Sequence, residues 1–201
     1  MREILDGITT WTWFSAPHGY DFNGWFVRYP SGNLCIDPVE PPEDVLALLA
    51  REGVARIVIT NRNHVRRAEL VRERTGAPVA IHSADAAYAR EQGATIDATL
   101  REGETVGPFR VVGVPGKSPG EVALHCARRQ ILVVGDAVIG NPPGKLSLLR
   151  VKVMDDPARL RRSVRALVAL DADVLLPGDG VPILRDASAR LRELVATFPA
   201  D

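Results

Sequence analysis

Residues 56–66 read RIVITNRNHVR and decide the fold class. Residues 56–60 are mostly apolar and β-branched, which is typical of a short buried strand. A polar loop follows, and Asn63 can cap a helix that we expect to continue to Gly76. A strand that leads through a polar loop into a helix is the building unit of an α/β protein.

Similar units occur on both sides of this stretch. Strands are predicted at 8–14, 23–29, 34–36, 56–60, 78–81, 109–114, 122–126, 131–134 and 174–176. Helices are predicted at 42–53 and 63–76 and from Ser83, Asp156 and Asp186 onward. Since each sheet then has two apolar faces to cover, we expect a four-layer αββα sandwich: two mixed β-sheets with helices on the outer faces, as a single domain over residues 1–201.

The composition excludes several classes of protein. Hydrophobic residues make up 46% of the chain, which excludes a disordered or collagen-like protein. Lys and Arg number 25, as do Asp and Glu, so we expect neither a nucleic-acid nor a membrane partner. No stretch approaches the roughly 20 apolar residues of a membrane span, and we expect a cytoplasmic protein. Cys35 and Cys126 lie in apolar runs and are predicted to be buried free thiols.

Four polar loops follow short apolar strands, and we expect the catalytic or binding residues to lie in these loops. They are residues 60–66 (TNRNHVR), 114–120 (VPGKSPG), 134–137 (VGDA) and 176–180 (LPGDG). Their order, spacing and framing resemble the metallo-β-lactamase fold family, in which such loops supply a zinc site. Residues 23–27 and 36–38 are similar to the opening strands of that family, so the resemblance covers nearly the whole chain.

The resemblance also identifies the zinc-ligand positions of the family in this chain. These positions hold Asn61, Asn63, Val65, Arg66, Lys117, Asp136 and Asp179. The family motifs place histidine or aspartate at all of them, and only Asp136 has the residue expected. Neutral amides bind zinc weakly, and the Arg66 and Lys117 cations repel a divalent ion. We therefore expect no metal cofactor.

The charges on the four loops balance. If the loops converge, Arg66 and Lys117 lie against Asp136 and Asp179, and the Lys117 ammonium occupies roughly the place of a metal charge. The alternative is that these four residues are solvated loop charges at different depths, which contribute little to stability.

Four further residues, Arg62, Arg67, His64 and His18, are candidates for ligand binding. Arg62, Arg66 and Arg67 cluster at the predicted start of a helix, which makes either an anion site or a solvated basic helix face. His64 can stand in for a missing ligand, although a first-turn residue facing solvent is the favoured interpretation. His18 lies in a turn-rich segment that can overhang the cleft, and both a functional and a structural role stay open.

Two other features concern the walls of the cleft. Trp11 and Trp13 fall on one face of a predicted strand, where packing is favoured over a shelf for stacking a ligand. Asp37 follows a strand, and we expect it to fix a turn or brace the neighbouring loops.

Three function classes remain. The first is a relative of the metallo-β-lactamase family that has lost zinc hydrolysis and binds a small anionic ligand or a protein partner in the former active-site cleft. The second is a hydrolase that uses a divalent metal such as Mg²⁺ or Mn²⁺, held by Asp136 and Asp179 with help from His64 or Asn61. The third is a structural subunit with a vestigial cleft. No nucleophile elbow is present to support a serine hydrolase.

Overall fold

The computed structural model describes residues 1–199, which form two β-sheets, five α-helices and short 3₁₀ turns. The larger sheet follows chain order: β1 (Arg2–Leu5), β2 (Ile8–Ser15), β3 (Tyr20–Val27), β4 (Leu34–Ile36), β5 (Arg56–Val58), β6 (Val79–His82) and β7 (Ala98–Leu100). The smaller sheet contains β8 (Thr105–Val106), β9 (Phe109–Gly113), β10 (Val122–Cys126), β11 (Ile131–Gly135) and β12 (Val174–Pro177). The helices are α1 (Glu43–Glu52), α2 (Ala68–Thr75), α3 (Ser83–Glu91), α4 (Pro157–Leu167) and α5 (Ala187–Val195).

Both sheets are mixed. In the larger sheet, β1 to β4 pair antiparallel, and β4 to β7 pair parallel. In the smaller sheet, β8 to β11 pair antiparallel, and β12 joins β11 in parallel. The strands predicted at 8–14, 23–29 and 34–36 correspond to β2, β3 and β4, and β1 is an additional edge strand. No helix within residues 1–199 combines the length and the apolar character needed to cross a membrane.

The apolar residues form three layers between four layers of backbone. The middle layer lies between the sheets, where Trp25 and Ile36 of one sheet pack in the same cluster as Phe109 and Leu124 of the other. Helices α1 to α3 cover the outer face of the larger sheet, and α4 and α5 cover that of the smaller one. The predicted αββα sandwich is therefore confirmed.

Helix α2 begins five residues later than the sequence predicts. The Asn63 backbone N–H donates to the Asn61 side-chain Oδ1 over 2.9 Å, which closes a local turn. Arg66 then adopts a positive φ of 40°, which is incompatible with a continuous helix. Asn63 therefore belongs to the loop rather than to the cap, and the loop side chains are free to enter the cleft.

Truncation of Leu160 tests the layer beneath α4. Leu160 is fully buried, so Leu160→Ala removes packed methyl groups and should lower the free energy of unfolding by about 2–5 kcal/mol in urea melts. Arg162→Ala, on the exposed face of the same helix, should change it by less than about 0.5 kcal/mol. Equal effects for the two variants would contradict the packing described.

Candidate functional site

The four predicted loops meet around one cavity of about 610 Å³. Its floor is polar and contains Asn63, His64, Arg66, Lys117, Asp136 and Asp179. Its wall is aromatic and comes from β2, β3 and the turn between them: Trp13, His18, Tyr20 and Phe22. The cavity therefore joins charged groups from the loops to a flat apolar surface.

Two ion pairs cross the floor of the cavity. Lys117 Nζ lies 3.2 Å from Asp136 Oδ2, and Arg66 Nη2 lies 2.7 Å from Asp179 Oδ1. The Lys117 and Asp136 side chains are only 5% and 6% exposed. The alternative of four solvated loop charges therefore does not describe this arrangement, and these pairs are screened far less than surface pairs.

The three protons of the Lys117 ammonium group have three acceptors. One is Asp136, the second is Asn63 Oδ1, and the third is Asn61 Oδ1 at 3.4 Å. Asn61 is fully buried below the cavity, and its Nδ2 donates to Glu121 Oε1 over 3.3 Å. Because an ammonium group has three donors and no acceptor, this set satisfies it completely.

Glu121 is a part of the site that the sequence analysis missed. It is 1% exposed, and its Oε1 accepts a hydrogen bond of 2.9 Å from the Asp136 backbone N–H. Burial, together with the Asp136 charge, raises the pKa of Glu121 well above its usual value. The only signal in the sequence is a charged residue directly before an apolar strand, which does not show which way the side chain points.

The expectation that His64 faces solvent is wrong. His64 is 1% exposed, with Nδ1 at 2.8 Å from Asp37 Oδ2 and Nε2 at 3.0 Å from Asp136 Oδ1. The turn that delays α2 directs the imidazole inward. Burial and the Arg66 charge lower the pKa of His64, but the two carboxylates outweigh them and raise it to about 9.

Asp37 braces the first loop, as expected from the sequence. It is fully buried, and its carboxylate accepts hydrogen bonds from the Thr60 backbone N–H at 2.8 Å and from the Thr60 hydroxyl at 2.6 Å, besides its contact with His64. Asp37 has a positive φ of 48°, a conformation that aspartate tolerates better than most residues.

The two carboxyls on the cavity floor have different pKa values. Burial raises the pKa of Asp136, but the His64 and Lys117 charges outweigh it and hold that pKa far below its usual range. Burial and the charge of Asp136 raise the pKa of Asp179 to about 6, although Arg66 opposes the shift. Asp136 is therefore the stronger acid of the two.

The predicted cluster of three arginines does not form. Arg62 binds Asp155 over 2.7 Å outside the cavity, and Arg67 binds Glu40 at its rim. Arg66 is the only one of the three that reaches the floor. Each guanidinium lies against a different carboxylate because α2 begins after all three residues, which therefore leave the loop in different directions.

Val65 also lies elsewhere than its family position implies. It is 6% exposed and belongs to the apolar cluster under α1 and α2, together with Leu49 and Val71. An aliphatic side chain in this loop is stabilised by the apolar layer rather than by the polar cavity.

The aromatic wall is attached to the last loop by Asn23. Its backbone N–H donates to the Gly178 carbonyl over 2.8 Å, and its side-chain amide donates to the carbonyls of Pro177 and Gly180 over 3.0 and 2.8 Å. This places Phe22 4.8 Å beneath the Arg66 guanidinium. The wall and the charged floor therefore hold each other in position.

His18 lies over the cavity, as its position between two strands predicts. Its Nδ1 is 2.7 Å from the Ser15 hydroxyl, and its ring centroid is 5.3 Å from that of Phe22. The Trp13 and Phe22 ring centroids are 5.8 Å apart. Trp13 is 45% exposed, whereas Trp11 is buried, so only Trp13 offers a surface to a ligand.

Three side chains could together approach a metal ion. Ligand atoms of His64, Asp136 and Asp179 lie within 4.8 Å of one another. However, Arg66 Nη2 is 2.9 Å from His64 Nε2 and 2.7 Å from Asp179 Oδ1. A guanidinium nitrogen therefore lies directly against two of the three potential ligands.

Two mixed sheets between helices, with four loops around one cavity, define a metallo-β-lactamase fold. The sequence profile of the metallo-beta-lactamase superfamily matches residues 5–198, and the chain belongs to this superfamily. Over 154 residues it is 30% identical to the hydroxyacylglutathione hydrolase of Cereibacter sphaeroides, which covers 73% of this chain and 56% of that enzyme. The chain thus spans about half the length of the curated relatives it matches.

Solved structures agree on the fold. A metallo-beta-lactamase from Pontibacter korlensis superposes with a TM-score of 0.79 at 20% identity, covering 98% of each chain. A protein solved in a di-iron-bound form superposes with a TM-score of 0.67 at 26% identity, covering 86% of this chain and 93% of that one.

The raised pKa of His64 predicts a dependence of stability on pH. The folded state holds the His64 proton up to a pKa of about 9, whereas the unfolded chain releases it near pH 6.5. The stabilisation is complete below about pH 6.5 and is lost as pH rises through 9. Between pH 6 and 10, urea melts of the wild type should lose on the order of 3 kcal/mol more than those of His64→Gln. Parallel curves for the two proteins would contradict a buried imidazolium.

Proposed function

We propose that this chain is a metal-free member of the metallo-beta-lactamase superfamily that binds a small anionic ligand in the cavity and does not act as a zinc hydrolase. One observation carries the proposal: Lys117 and Arg66 form ion pairs with Asp136 and Asp179. Two side-chain cations thereby supply the positive charge that a metal would otherwise bring to these carboxylates.

The donor set around the cavity does not fit zinc. The amide oxygens of Asn61 and Asn63 accept hydrogen bonds from the Lys117 ammonium group, and Val65 lies in the core. Zinc prefers imidazole, thiolate and carboxylate ligands. A divalent ion beside Asp136 would also meet the fixed charges of Lys117 and Arg66, which repel it.

The charges at the floor of the cavity disfavour a divalent cation. With His64 protonated, four cations line it: His64, Arg66, Arg67 and Lys117. Three carboxylates face them: Glu40, Asp136 and Asp179. Asp37 lies behind the lining, 2.8 Å from His64 Nδ1, and offsets the charge of the imidazolium. The floor therefore carries no excess of negative charge that would attract a divalent cation.

A hydrolase with a different divalent metal is the second candidate. The close approach of His64, Asp136 and Asp179 supports it, and so does the similarity to a hydroxyacylglutathione hydrolase. Mg²⁺ or Mn²⁺ would suit an oxygen-rich set of ligands. This function requires Arg66 to leave its position between His64 and Asp179. A structural subunit with a vestigial cleft would bind neither metal nor anion.

Metal binding separates the two main candidates. We expect protein purified without chelator to contain no stoichiometric metal, and Zn²⁺, Mn²⁺ and Mg²⁺ to leave its thermal midpoint unchanged. An ion at 100 times its dissociation constant would add about 2.7 kcal/mol, which corresponds to a shift of about 5–10 °C. A saturable increase with any of these ions, accompanied by hydrolysis of a hydroxyacylglutathione thioester, would establish the second candidate instead.

Removal of the Lys117 charge tests the role of the ion pairs. Lys117→Ala leaves the buried Asp136 without one of its two adjacent cations and should lower the free energy of unfolding by about 3–5 kcal/mol. Lys145→Ala, at an exposed position outside the cavity, should cost less than about 1 kcal/mol. Urea melts of both variants measure the difference. If the two costs were alike, the Lys117 ammonium group would have no structural role at the floor.

A further inference from the structure

We propose that the anionic group of the ligand binds beside the main cavity, at Arg150 and Lys152, while a flat apolar body lies on the aromatic wall. The ligand class is therefore an organic carboxylate with a planar, apolar body. The inference rests on the proposed function, because it identifies where the anion of that ligand is recognised. Four structural observations support it.

A second pocket extends the cavity. It encloses about 510 Å³ between the turn that precedes β3 and the segment 147–153. The two pockets share His18, Tyr20, Leu149 and Val153 in their linings. Because the linings are continuous, one ligand can extend from the charged floor over the aromatic wall into the second pocket.

The cations of the second pocket are free to bind an anion. Within residues 1–199, neither Arg150 nor Lys152 forms a salt bridge, and both are exposed. By contrast, Arg66, Arg67 and Lys117 in the main cavity each have a carboxylate partner. An anion in the second pocket therefore gains two charges without breaking an existing ion pair.

The wall between the two charged regions suits a flat apolar group. Trp13 is 45% exposed and Val153 is 46% exposed, although both line the cavity. The His18, Tyr20 and Phe22 ring centroids are 5.3 to 6.1 Å apart, a spacing typical of aromatic clusters. A planar ligand can cover these rings and remove their exposed faces from water.

Tyr20 supplies a neutral hydrogen-bond donor between the two regions. Burial and the charges of Asp179 and Asp136 raise the pKa of its phenol, while Arg150 lowers it. The phenol is therefore protonated at neutral pH. Its hydroxyl has no hydrogen-bond partner in the part of the chain that the structure describes, so it can donate to a carboxylate held by Arg150.

Calorimetric titration with two matched probes tests the assignment. The probes are 2-naphthoate and its neutral analogue 2-naphthylmethanol, which share the planar body and differ in charge. We expect the wild type to bind 2-naphthoate at least tenfold more tightly than the alcohol. The double variant Arg150→Gln/Lys152→Gln should bind 2-naphthoate about tenfold more weakly and the alcohol unchanged. Trp13→Ala should weaken both probes.

The controls distinguish this inference from the proposed function. Lys145→Gln changes an exposed cation near the segment 147–153 that lines neither pocket, and it should leave both affinities unchanged. If 2-naphthoate binds but the double variant binds it equally well, the anion lies elsewhere in the cavity. The inference then fails while the proposed function stands. The inference is also overturned if 2-naphthoate binds no better than the alcohol or does not bind. Whether the protein is free of metal is then tested separately by metal analysis.

Discussion

The ion pair between Lys117 and Asp136 is the interaction on which the rest of the cavity depends. Both groups are almost completely buried, and a buried charge persists only when it is paired and its hydrogen-bonding capacity is filled. Asn61 and Asn63 fill the remaining capacity of the ammonium group. Burial and the Asp136 charge raise the pKa of Glu121 beside them, and the Lys117 charge opposes that shift. One lysine thus ties Asp136 to the first loop and, together with His64, lowers the pKa of the Asp136 carboxyl.

Membership of a superfamily does not by itself determine the chemistry of this cavity. The fold positions four loops, and the side chains on those loops decide what the loops can hold. The relative that acts on hydroxyacylglutathione shares 30% of its residues with the aligned part of this chain. Because a site comprises few residues, 30% identity over 154 residues leaves room for most of them to differ.

The sequence was sufficient for the layers of the fold because its information is local. Strand β10 has the predicted bounds, and α4 begins after Asp156, whose carboxylate caps it by accepting from the Arg159 N–H over 2.8 Å. The site was predicted less completely because side-chain direction depends on contacts between distant segments. A single turn at residues 61–67 moved the start of α2, turned His64 inward and sent Val65 to the core. The position of Glu121 before a strand did not predict its burial, since a glutamate there is ordinarily solvated.

The Asn23 contacts have a consequence for the order in which the molecule assembles. Asn23 lies in β3. Its side-chain amide donates to the carbonyls of Pro177 and Gly180, which lie 154 and 157 residues further along the chain. Contacts of such long sequence separation form late, because the loop-closure entropy must be overcome before they stabilise the chain. A partly synthesised chain cannot close the cavity until β12 has been made and has paired with β11. The cavity is thus complete only once residues 177–180 have been made, and a ligand that requires all four loops cannot bind to a shorter, growing chain.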